Sequence, residues 1–221
     1  MARTRATDYD QKRLGILSQS ARLFAQHGFT GTSITMIAEA CGVSKALMYH
    51  YYDSKDDVLF DVLADHLKHL VVTVEAAAAE SDARRRLVAI STALLDAYRG
   101  ADAEHQVQIS SLKLLPPAQQ DVLKELERRL VTIFSEAIAA SLAPAATRPD
   151  ILKPLTMSLF GMLNWHYLWF REGRGMTRDA YARMAANLIL AGAEDAIRAA
   201  DAPAVTAKPA AAKKKAARAR S

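Results

Sequence analysis

The chain has 221 residues, 51% of them hydrophobic and 24% charged, which is enough to bury a substantial core in one or two globular domains. No segment reaches the roughly 18 uncharged apolar residues that a membrane span needs, and the polar start MARTRATDYDQKR lacks the apolar run of a signal peptide. The single cysteine, Cys41, excludes an internal disulfide, so the composition predicts a cytoplasmic protein.

Positive charge is concentrated at the two ends of the chain. The net charge is +5, and residues 201–221 alone carry +5, since they contain six basic side chains and one acidic one. Residues 1–55 hold seven basic and four acidic side chains. This bias points to an anionic partner at the N-terminal end, although two solvated surfaces would give the same pattern.

The first apolar pattern predicts a helix that ends at Gly28, a residue type common just after a helix C-terminus. One face of this helix carries Leu14, Leu17, Ala21 and Phe24 at helical spacing. The basic residues 1–9 ahead of it are expected to form a flexible arm. Two short helices should follow, from about residue 33 to 40 and from 44 to 51, capped by Ser33 and Ser44.

The remaining pattern predicts long helices separated by short loops. Asp53 or Ser54 caps a helix that ends near residue 79, and Asp150 and Thr177 are candidate caps for the last two helices. The predicted spans are about 82–98, 103–114, 117–142, 151–172 and 177–200, with residues 143–150 as a loop. Nine helices in total, without β-type alternation, indicate an all-α architecture.

Residues 201–221 are rich in Ala, Lys and Pro and contain no aromatic side chain. Such a segment buries too little apolar area to offset the entropy of ordering, so we expect a disordered basic tail. The tail would add sequence-independent affinity for phosphates, or it would serve only solubility.

Residues 33–52 have the pattern of a helix-turn-helix motif, in which two short helices are joined by a three-residue turn. Ala38 supplies a small side chain where the helices cross, and Gly42 can adopt the positive φ of a tight turn. The apolar inner face that fixes the second helix against the first is predicted to contain Ile34, Ile37, Val43 and Met48.

The outer face of the second helix is then free to contact DNA. Lys45 can reach a guanine edge or a phosphate, Ala46 allows close approach of the backbone, and Leu47 can touch a thymine methyl group. Hydrogen-bond donors for flanking phosphates are expected from Ser44, Tyr49 and His50 on this helix and from Lys55 in the first turn of the next. For Tyr51 two roles are open, a place in the core and a phosphate contact, whereas Tyr52 is predicted to belong to the core.

The stretch ARLFAQHGFTGTSITMIAEACGVSKALMYHYYDSKDDVLFDVL, residues 21–63, resembles the DNA-binding domain of TetR-family transcriptional regulators. It contains a Phe-Ala-x-x-Gly-aromatic phrase, then Ser/Thr-x-x-x-Ile-Ala, then Gly-Val-Ser, and finally Tyr-x-x-Phe/Tyr-x-x-Lys, in the order and at the spacing of that family. Beyond residue 63 the resemblance extends only to the number and length of the helices.

The resemblance implies a homodimer of nine-helix subunits that binds a palindromic operator and is released by a small-molecule inducer. It implies a helix-turn-helix domain over residues 10–70 and a ligand-binding and dimerisation domain over residues 71–200. By position, Ser33 and Thr35 begin the supporting helix at the DNA backbone, and Lys45, Ala46 and Leu47 contact bases. The phosphate contacts fall to Tyr49, His50, Tyr51 and Lys55.

The stretch SLFGMLNWHYLWFREGRG is apolar nearly all round, which is typical of a helix buried on several sides. In the TetR family the last two helices form the dimer interface, so these aromatic side chains are divided between interface and ligand pocket. On the last helix, a small-residue face for close packing is formed by Ala185, Ala186, Leu188, Ile189, Gly192 and Ala193.

The segments LKLLPPAQQDVLKELERRL and FGMLNWHYLWFREG resemble a branch of the family that senses acyl-CoA thioesters. An acyl group would then contact Met162, Trp165, His166 and Trp169. Basic residues at the end of the helix (Arg171, Arg174 and Arg178) would contact the phosphates.

Two other classes of function are considered. An architectural DNA-binding protein without an inducer would rely on the basic tail, and removal of residues 201–221 would then abolish most binding. An enzyme is disfavoured because the only charged neighbour of Cys41 in the sequence is Glu39, whose negative charge would raise the pKa of the thiol. The other candidates for catalytic residues are His166 and Glu172. The sequence contains no metal-ligand spacing, phosphate-binding glycine loop or nucleophile motif.

Overall fold

A computed structural model of the protein describes residues 2–142 and 148–201, and within these ranges it contains ten α-helices and no strand. The helices are α1 (Ala2–Gly31), α2 (Ile34–Ala40), α3 (Lys45–Tyr51), α4 (Lys55–Ala77), α5 (Ala83–Ala97), α6 (Asp102–Ser111), α7 (Pro117–Ser141), α8 (Pro149–Asn164), α9 (His166–Trp169) and α10 (Arg178–Asp201), with a 3₁₀ turn over Leu112–Leu114. The all-α prediction is confirmed, and the predicted count of nine helices is corrected to ten. The predicted basic tail lies outside the described residues beyond Asp201.

The additional helix arises because the predicted apolar helix over residues 151–172 is interrupted. Its first part, α8, ends at Asn164, and the one-turn helix α9 follows. The break allows the His166 ring to stack on Phe170, with centroids 4.2 Å apart, and on Tyr181 of α10, with centroids 5.2 Å apart. Packing between helices thus overrides a continuous helical pattern. Asp150 is not a cap, since Arg148 precedes α8 as its N-cap residue and its guanidinium pairs with the Asp150 carboxylate.

The first helix is longer than predicted. Residues 2–9, expected to be a flexible arm, are helical and continuous with the rest of α1, and residues 2–14 contain neither Pro nor Gly to end a helix. Gly28 breaks the helix as predicted, with φ 73° and ψ 163°. Leu14 is 51% exposed, whereas its three predicted companions Leu17, Ala21 and Phe24 are buried.

Helix α4 lies at the centre of the protein. It packs against α1 and α6 at one end and against α5 and α7 along its length. Its fully buried leucines Leu59, Leu63 and Leu67 belong to one hydrophobic core that extends from α1 to α10. Burial of each such side chain contributes about 1.5–3 kcal/mol, so this helix joins the N-terminal helices firmly to the rest.

The start of α4 is attached to the α1–α2 connection by Lys55. The Lys55 ammonium donates hydrogen bonds to the carbonyl oxygens of Phe29, at 2.7 Å, and Thr32, at 2.8 Å. It also lies 4.3 Å from the centre of the Phe29 ring. Nearly two turns further along α4, the Arg13 guanidinium of α1 pairs with the Asp61 carboxylate at 2.7 Å. These contacts set the position of α2 and α3 relative to α4.

None of the helices in the described ranges combines the length and the apolar character that crossing a membrane requires.

Replacing Lys55 by methionine should lower the free energy of unfolding by about 2 kcal/mol, because two carbonyl groups lose a charged hydrogen-bond donor. Urea denaturation followed by circular dichroism measures this change. Lys68→Met, at an exposed position of the same helix, is the matched control and should leave stability nearly unchanged. Equal stabilities of the two variants would show that the Lys55 contacts do not hold the motif.

Candidate nucleic-acid interface

Helices α2 and α3 are defined by local hydrogen bonds at their ends. The Ser33 hydroxyl oxygen accepts from the Met36 N–H, and the Ser44 hydroxyl oxygen accepts from the Leu47 N–H, so both serines are N-caps as predicted. At the turn between the helices, Gly42 has φ 65° and its N–H donates to the Glu39 carbonyl. This pattern is the usual left-handed end of a helix, which favours glycine.

Buried side chains hold α3 in place. Ile37 and Met48 are fully buried and Tyr52 is 5% exposed, which confirms their predicted place in the core. Ile34 is also buried, and Val43 is partly buried against the same cluster. Because Met48 lies in the middle of α3, this anchoring turns the opposite face of the helix toward solvent.

That opposite face carries four of the ten predicted DNA contacts. Lys45, Ala46 and His50 are exposed, and Tyr49 is 49% exposed. The Lys45 ammonium lies 5.9 Å from the centre of the Tyr49 ring, so the two side chains share one surface. A long cation and a tyrosine hydroxyl on an exposed helix are suited to a phosphate backbone and the groove beside it.

A concave surface of about 470 Å³ lies between the start of α2 and α3. It brings together five of the ten predicted contact residues, namely Ser33, Thr35, Lys45, Tyr49 and Lys55. Thr30, which lies near the end of α1 and had no sequence signal, lines the same surface. The Asp53 carboxylate also faces it, so phosphates would be held on the Lys45 side rather than beside Asp53.

Besides the capping serines Ser33 and Ser44, three predicted contact residues have additional structural roles. Lys55 uses two of its three N–H donors on the carbonyls described above, which leaves one for a phosphate. Leu47 is half-buried and lines a cavity of about 240 Å³ between α1 and α3. The Tyr51 ring stacks on Tyr9 of α1, with centroids 4.7 Å apart and planes 22° apart. Sequence reasoning missed Tyr9, because it assigned residues 1–9 to a flexible arm.

The residues predicted to contact a ligand in the C-terminal domain do not face one direction. Trp165 and Trp169 are more than half exposed, whereas His166 between them is buried. Met162 is half-buried, and its carbonyl accepts a hydrogen bond from the Tyr181 hydroxyl. The Arg171 guanidinium donates to the neighbouring Phe170 carbonyl at 2.7 Å. The break after Asn164 causes this separation.

His166 is buried among aromatic rings, and neither of its ring nitrogens has a partner among the described residues. Burial, with the nearby positive charge of Arg178, lowers the pKa of His166 to about 4. The Arg178 guanidinium pairs with Glu172 at 3.2 Å and lies 4.7 Å from the centre of the Phe170 ring. Arg178, predicted to contact a phosphate, is therefore engaged within the subunit.

Cys41 lies in the turn between α2 and α3 and is half-buried. Burial raises the pKa of its thiol, which keeps it protonated and poorly nucleophilic. Within residues 2–142 and 148–201, no group of three or more His, Cys, Asp or Glu side chains is arranged to hold a metal ion.

Two protein-family models match this chain. Residues 16–62 match the model of bacterial regulatory proteins of the tetR family, and residues 80–193 match that of the tetracyclin repressor-like C-terminal domain. Together they cover more than half of the chain, from the second half of α1 to most of α10, apart from residues 63–79, which include most of α4.

Individual proteins agree with these models. The HTH-type transcriptional repressor KstR2 of Rhodococcus jostii (strain RHA1) is 27% identical over 187 residues, which are 82% of this chain and 90% of that protein. A TetR-family transcriptional regulator from Bordetella parapertussis 12822 is 31% identical and superposes with a TM-score of 0.75, covering 80% of this chain and 93% of that one. AibR, solved in complex with isovaleryl coenzyme A and operator DNA, shares the fold at 23% identity and a TM-score of 0.70, covering 80% of this chain and 97% of that one.

Replacing Tyr49 by alanine should weaken binding to every duplex in a randomised pool by about fivefold, since a hydrogen bond to phosphate contributes about 1 kcal/mol and carries no sequence information. Replacing Lys45 or Leu47 by alanine should instead change which bases are selected from the pool. Sequencing of the bound fraction measures both effects, and Lys68→Met on α4 is the control. An unchanged base preference in both the Lys45 and Leu47 variants would remove these residues from the set that contacts bases.

Proposed function

The chain belongs to the tetR family of bacterial regulatory proteins, and we propose that it is a repressor that leaves its operator when a small molecule binds its C-terminal domain. It is thus a DNA-binding transcriptional regulator and not an enzyme. The observation that carries the proposal is the division of α3 into a buried side, held by Met48, and an exposed side with Lys45, Tyr49 and His50. This arrangement presents one helix face to the major groove.

The operator is proposed to be palindromic and bound by two copies of the chain. A single seven-residue helix contacts only a few base pairs, so a site of useful specificity requires a second α3 about one helical turn of DNA away. A two-fold axis between two subunits produces this arrangement, with the same surface used by both partners.

The surface proposed for this dimer is an apolar face on α8 and α10, which pack against each other. On α8 and its C-cap residue, Met157, Gly161 and Trp165 recur at intervals of four residues and are exposed. On α10, Met184, Leu188 and Gly192 do the same. Residues four apart lie on one side of a helix, so each helix presents a stripe of large apolar side chains with a glycine that permits close approach.

The dimer face differs from the one that small residues alone would predict. Ala185, Ala186, Ile189 and Ala193 are buried within the subunit, where α10 packs on α5 and α8. Of the predicted small-residue face, Leu188 and Gly192 are exposed. In the proposed dimer, α8 and α10 of one subunit would pack against α8 and α10 of the other and form a four-helix interface.

Replacing Leu188 by glutamate should raise the dissociation constant of the dimer at least about tenfold, because a buried unpaired carboxylate costs well over 1.4 kcal/mol. Sedimentation equilibrium measures the change, and operator affinity should fall with it. Leu114→Glu is the matched control, since Leu114 is 52% exposed, close to the 56% of Leu188, but lies on the 3₁₀ turn after α6. Equal dimer dissociation constants for the Leu188 and Leu114 variants would show that the interface does not include Leu188.

The inducer is proposed to be an acyl-CoA thioester. The fold is shared with AibR, whose structure contains isovaleryl coenzyme A, and Arg171 and Arg174 are exposed where phosphates could approach. On the apolar side, Met162 is half-buried and His166 is buried, while Trp169 packs edge-on against the Tyr181 ring, with centroids 4.9 Å apart. In this proposal the acyl group enters beside Trp169 and Met162, and Trp165 is shared with the dimer face.

The proposed function is tested by selecting operator fragments from genomic DNA and then titrating the bound complex with acyl-CoA thioesters and the matching free acids. A thioester should release the DNA, while its free acid should not. Replacing Arg171 and Arg174 together by glutamine should raise the thioester concentration needed for release about tenfold or more, since charged hydrogen bonds to phosphates are lost. A complex that survives every thioester would exclude this class of inducer, and a chain that selects no sequence would exclude the repressor itself.

A further inference from the structure

Two tyrosine rings from different helices are stacked at the edge of the candidate DNA-binding surface. The ring of Tyr9, on α1, lies nearly parallel to that of Tyr51, the last residue of α3, with centroids 4.7 Å apart and planes 22° apart. This separation is within the range of favourable aromatic pairs. The exposed His50 ring meets Tyr51 edge-on, with centroids 6.0 Å apart. Aromatic contacts therefore join the end of α3 to α1.

The two tyrosines expected to contact phosphates, Tyr49 and Tyr51, lean to opposite sides of α3. Residues two positions apart are separated by about half a turn of an α-helix. Accordingly, Tyr49 lines the concave surface of about 470 Å³ toward the start of α2, whereas Tyr51 lines the cavity of about 240 Å³ toward α1. The outward-facing residues Ala46 and His50 lie between them. The two tyrosines thus flank the outer face of α3.

The two flanking tyrosines are supported in different ways. Tyr49 has a neighbour on its own helix, since the Lys45 ammonium lies 5.9 Å from the centre of its ring. Tyr51 lies in the last turn of α3, just before the chain leaves the helix at Tyr52. It is half-buried, and the nearer of its two ring neighbours is Tyr9 of α1. The direction of the Tyr51 side chain therefore depends on a residue outside the helix-turn-helix motif.

The part of α1 that carries Tyr9 is itself fixed to the rest of the protein. Arg13, one turn further along, pairs with Asp61 of α4 at 2.7 Å. Ile16, nearly two turns after Tyr9, is 2% exposed and belongs to the hydrophobic core. Residues four and seven positions apart lie on one side of an α-helix, so Tyr9 is on the side of α1 that packs against the protein. The Tyr51 ring therefore stacks on a fixed partner.

The stack leaves the Tyr51 hydroxyl free to bind a phosphate. No hydrogen bond between described residues uses the hydroxyl group of Tyr9 or of Tyr51. A tyrosine hydroxyl is a neutral donor of the kind that contacts the DNA backbone. Ordering a mobile side chain at an interface weakens binding, and a ring that is held before DNA arrives does not lose this freedom on binding.

We propose that Tyr9 is a positioning residue for DNA binding, which holds the Tyr51 ring so that the Tyr51 hydroxyl donates to a phosphate on the α1 side of α3. Tyr9 acts through the face of its ring and not through its hydroxyl group. The proposal rests on the proposed function, because it requires the outer face of α3 to bind DNA. It extends the determinants of DNA affinity from the helix-turn-helix motif to the first turns of α1.

The proposal is tested by fluorescence anisotropy of a selected operator fragment titrated with the full chain. Tyr9→Ala should raise the dissociation constant about fivefold, since the Tyr51 ring must then be ordered on binding. Tyr9→Phe keeps the stacked ring and should bind as the unaltered chain does. Leu14→Ala is the matched control, because Leu14 is also on α1 and is 51% exposed, against 44% for Tyr9. Full affinity of Tyr9→Ala, or a Tyr9→Phe variant as weak as Tyr9→Ala, would overturn the proposal.

A double-mutant cycle shows whether Tyr9 acts through Tyr51. Tyr51→Ala removes the phosphate contact, so adding Tyr9→Ala to that variant should cause no further loss of affinity. If the losses from the two substitutions simply multiplied, Tyr9 would act on DNA independently of Tyr51, and the positioning role would be wrong.

A second measurement reports on the stack without DNA. In spectra of the DNA-free protein with carbon-13 in its tyrosine rings, Tyr9→Ala should shift the ring signals of Tyr51, whereas Leu14→Ala should leave them in place. Unchanged Tyr51 signals in Tyr9→Ala would overturn the stack and the proposal with it. A chain that shows the shift but selects no operator would overturn the proposed function and this role together. A chain that selects an operator and binds it equally well with Tyr9→Ala would overturn this role alone.

Discussion

The Lys55 ammonium, held by the carbonyl oxygens of Phe29 and Thr32, is the contact on which the orientation of the DNA-binding surface depends. If Lys55 were absent, the carbonyl groups of Phe29 and Thr32 would lose their charged hydrogen-bond donor. These two carbonyls lie just before α2, where the helix-turn-helix motif begins. Lys55 is also the first residue of α4, the helix that packs against both groups of helices. The Lys55 side chain therefore fixes the position of the motif relative to α4, and the other end of α4 packs in the C-terminal core.

A second connection runs through α6, which packs along α1. The Gln106 side-chain amide donates to the Ala25 carbonyl of α1 at 3.3 Å, and the neighbouring His105 bonds to the Asn164 carbonyl at the end of α8. The Tyr98 hydroxyl donates to the Asn164 side chain at 2.9 Å. The break between α8 and α9, which places the exposed indoles on the outer face, is thus tied by hydrogen bonds to the helix that touches the DNA-binding unit. A shift at this break would be transmitted to α1 through rigid helices.

Much of the fold and of the DNA-facing surface could be predicted from local patterns. Ser33, Ser44 and Gly42 define their helix ends through bonds to residues three positions away, so the sequence is sufficient to recognise them. Met48 and Tyr52 could be assigned to the core because they are four residues apart and so lie on the same side of the chain, and a short surface helix has one apolar side and one polar side. The C-terminal site was less predictable. Whether Trp165 lies in a pocket or on the surface depends on where the helix breaks, and that break is stabilised by Tyr181, sixteen positions further along the chain.

The sequence by itself determined an all-α chain, a helix-turn-helix motif over residues 33–52 and the outward-facing side chains of α3, because each of these follows from hydrogen bonds and periodicity within a few residues. Only the tertiary structure decided that Lys55 bonds to main-chain carbonyls, that Tyr51 stacks on Tyr9, and that the His66 and His105 rings lie edge to face, with centroids 6.2 Å apart. These contacts join residues that lie 23 to 42 positions apart in the chain. Their geometry is set by how the helices pack, which no local pattern encodes.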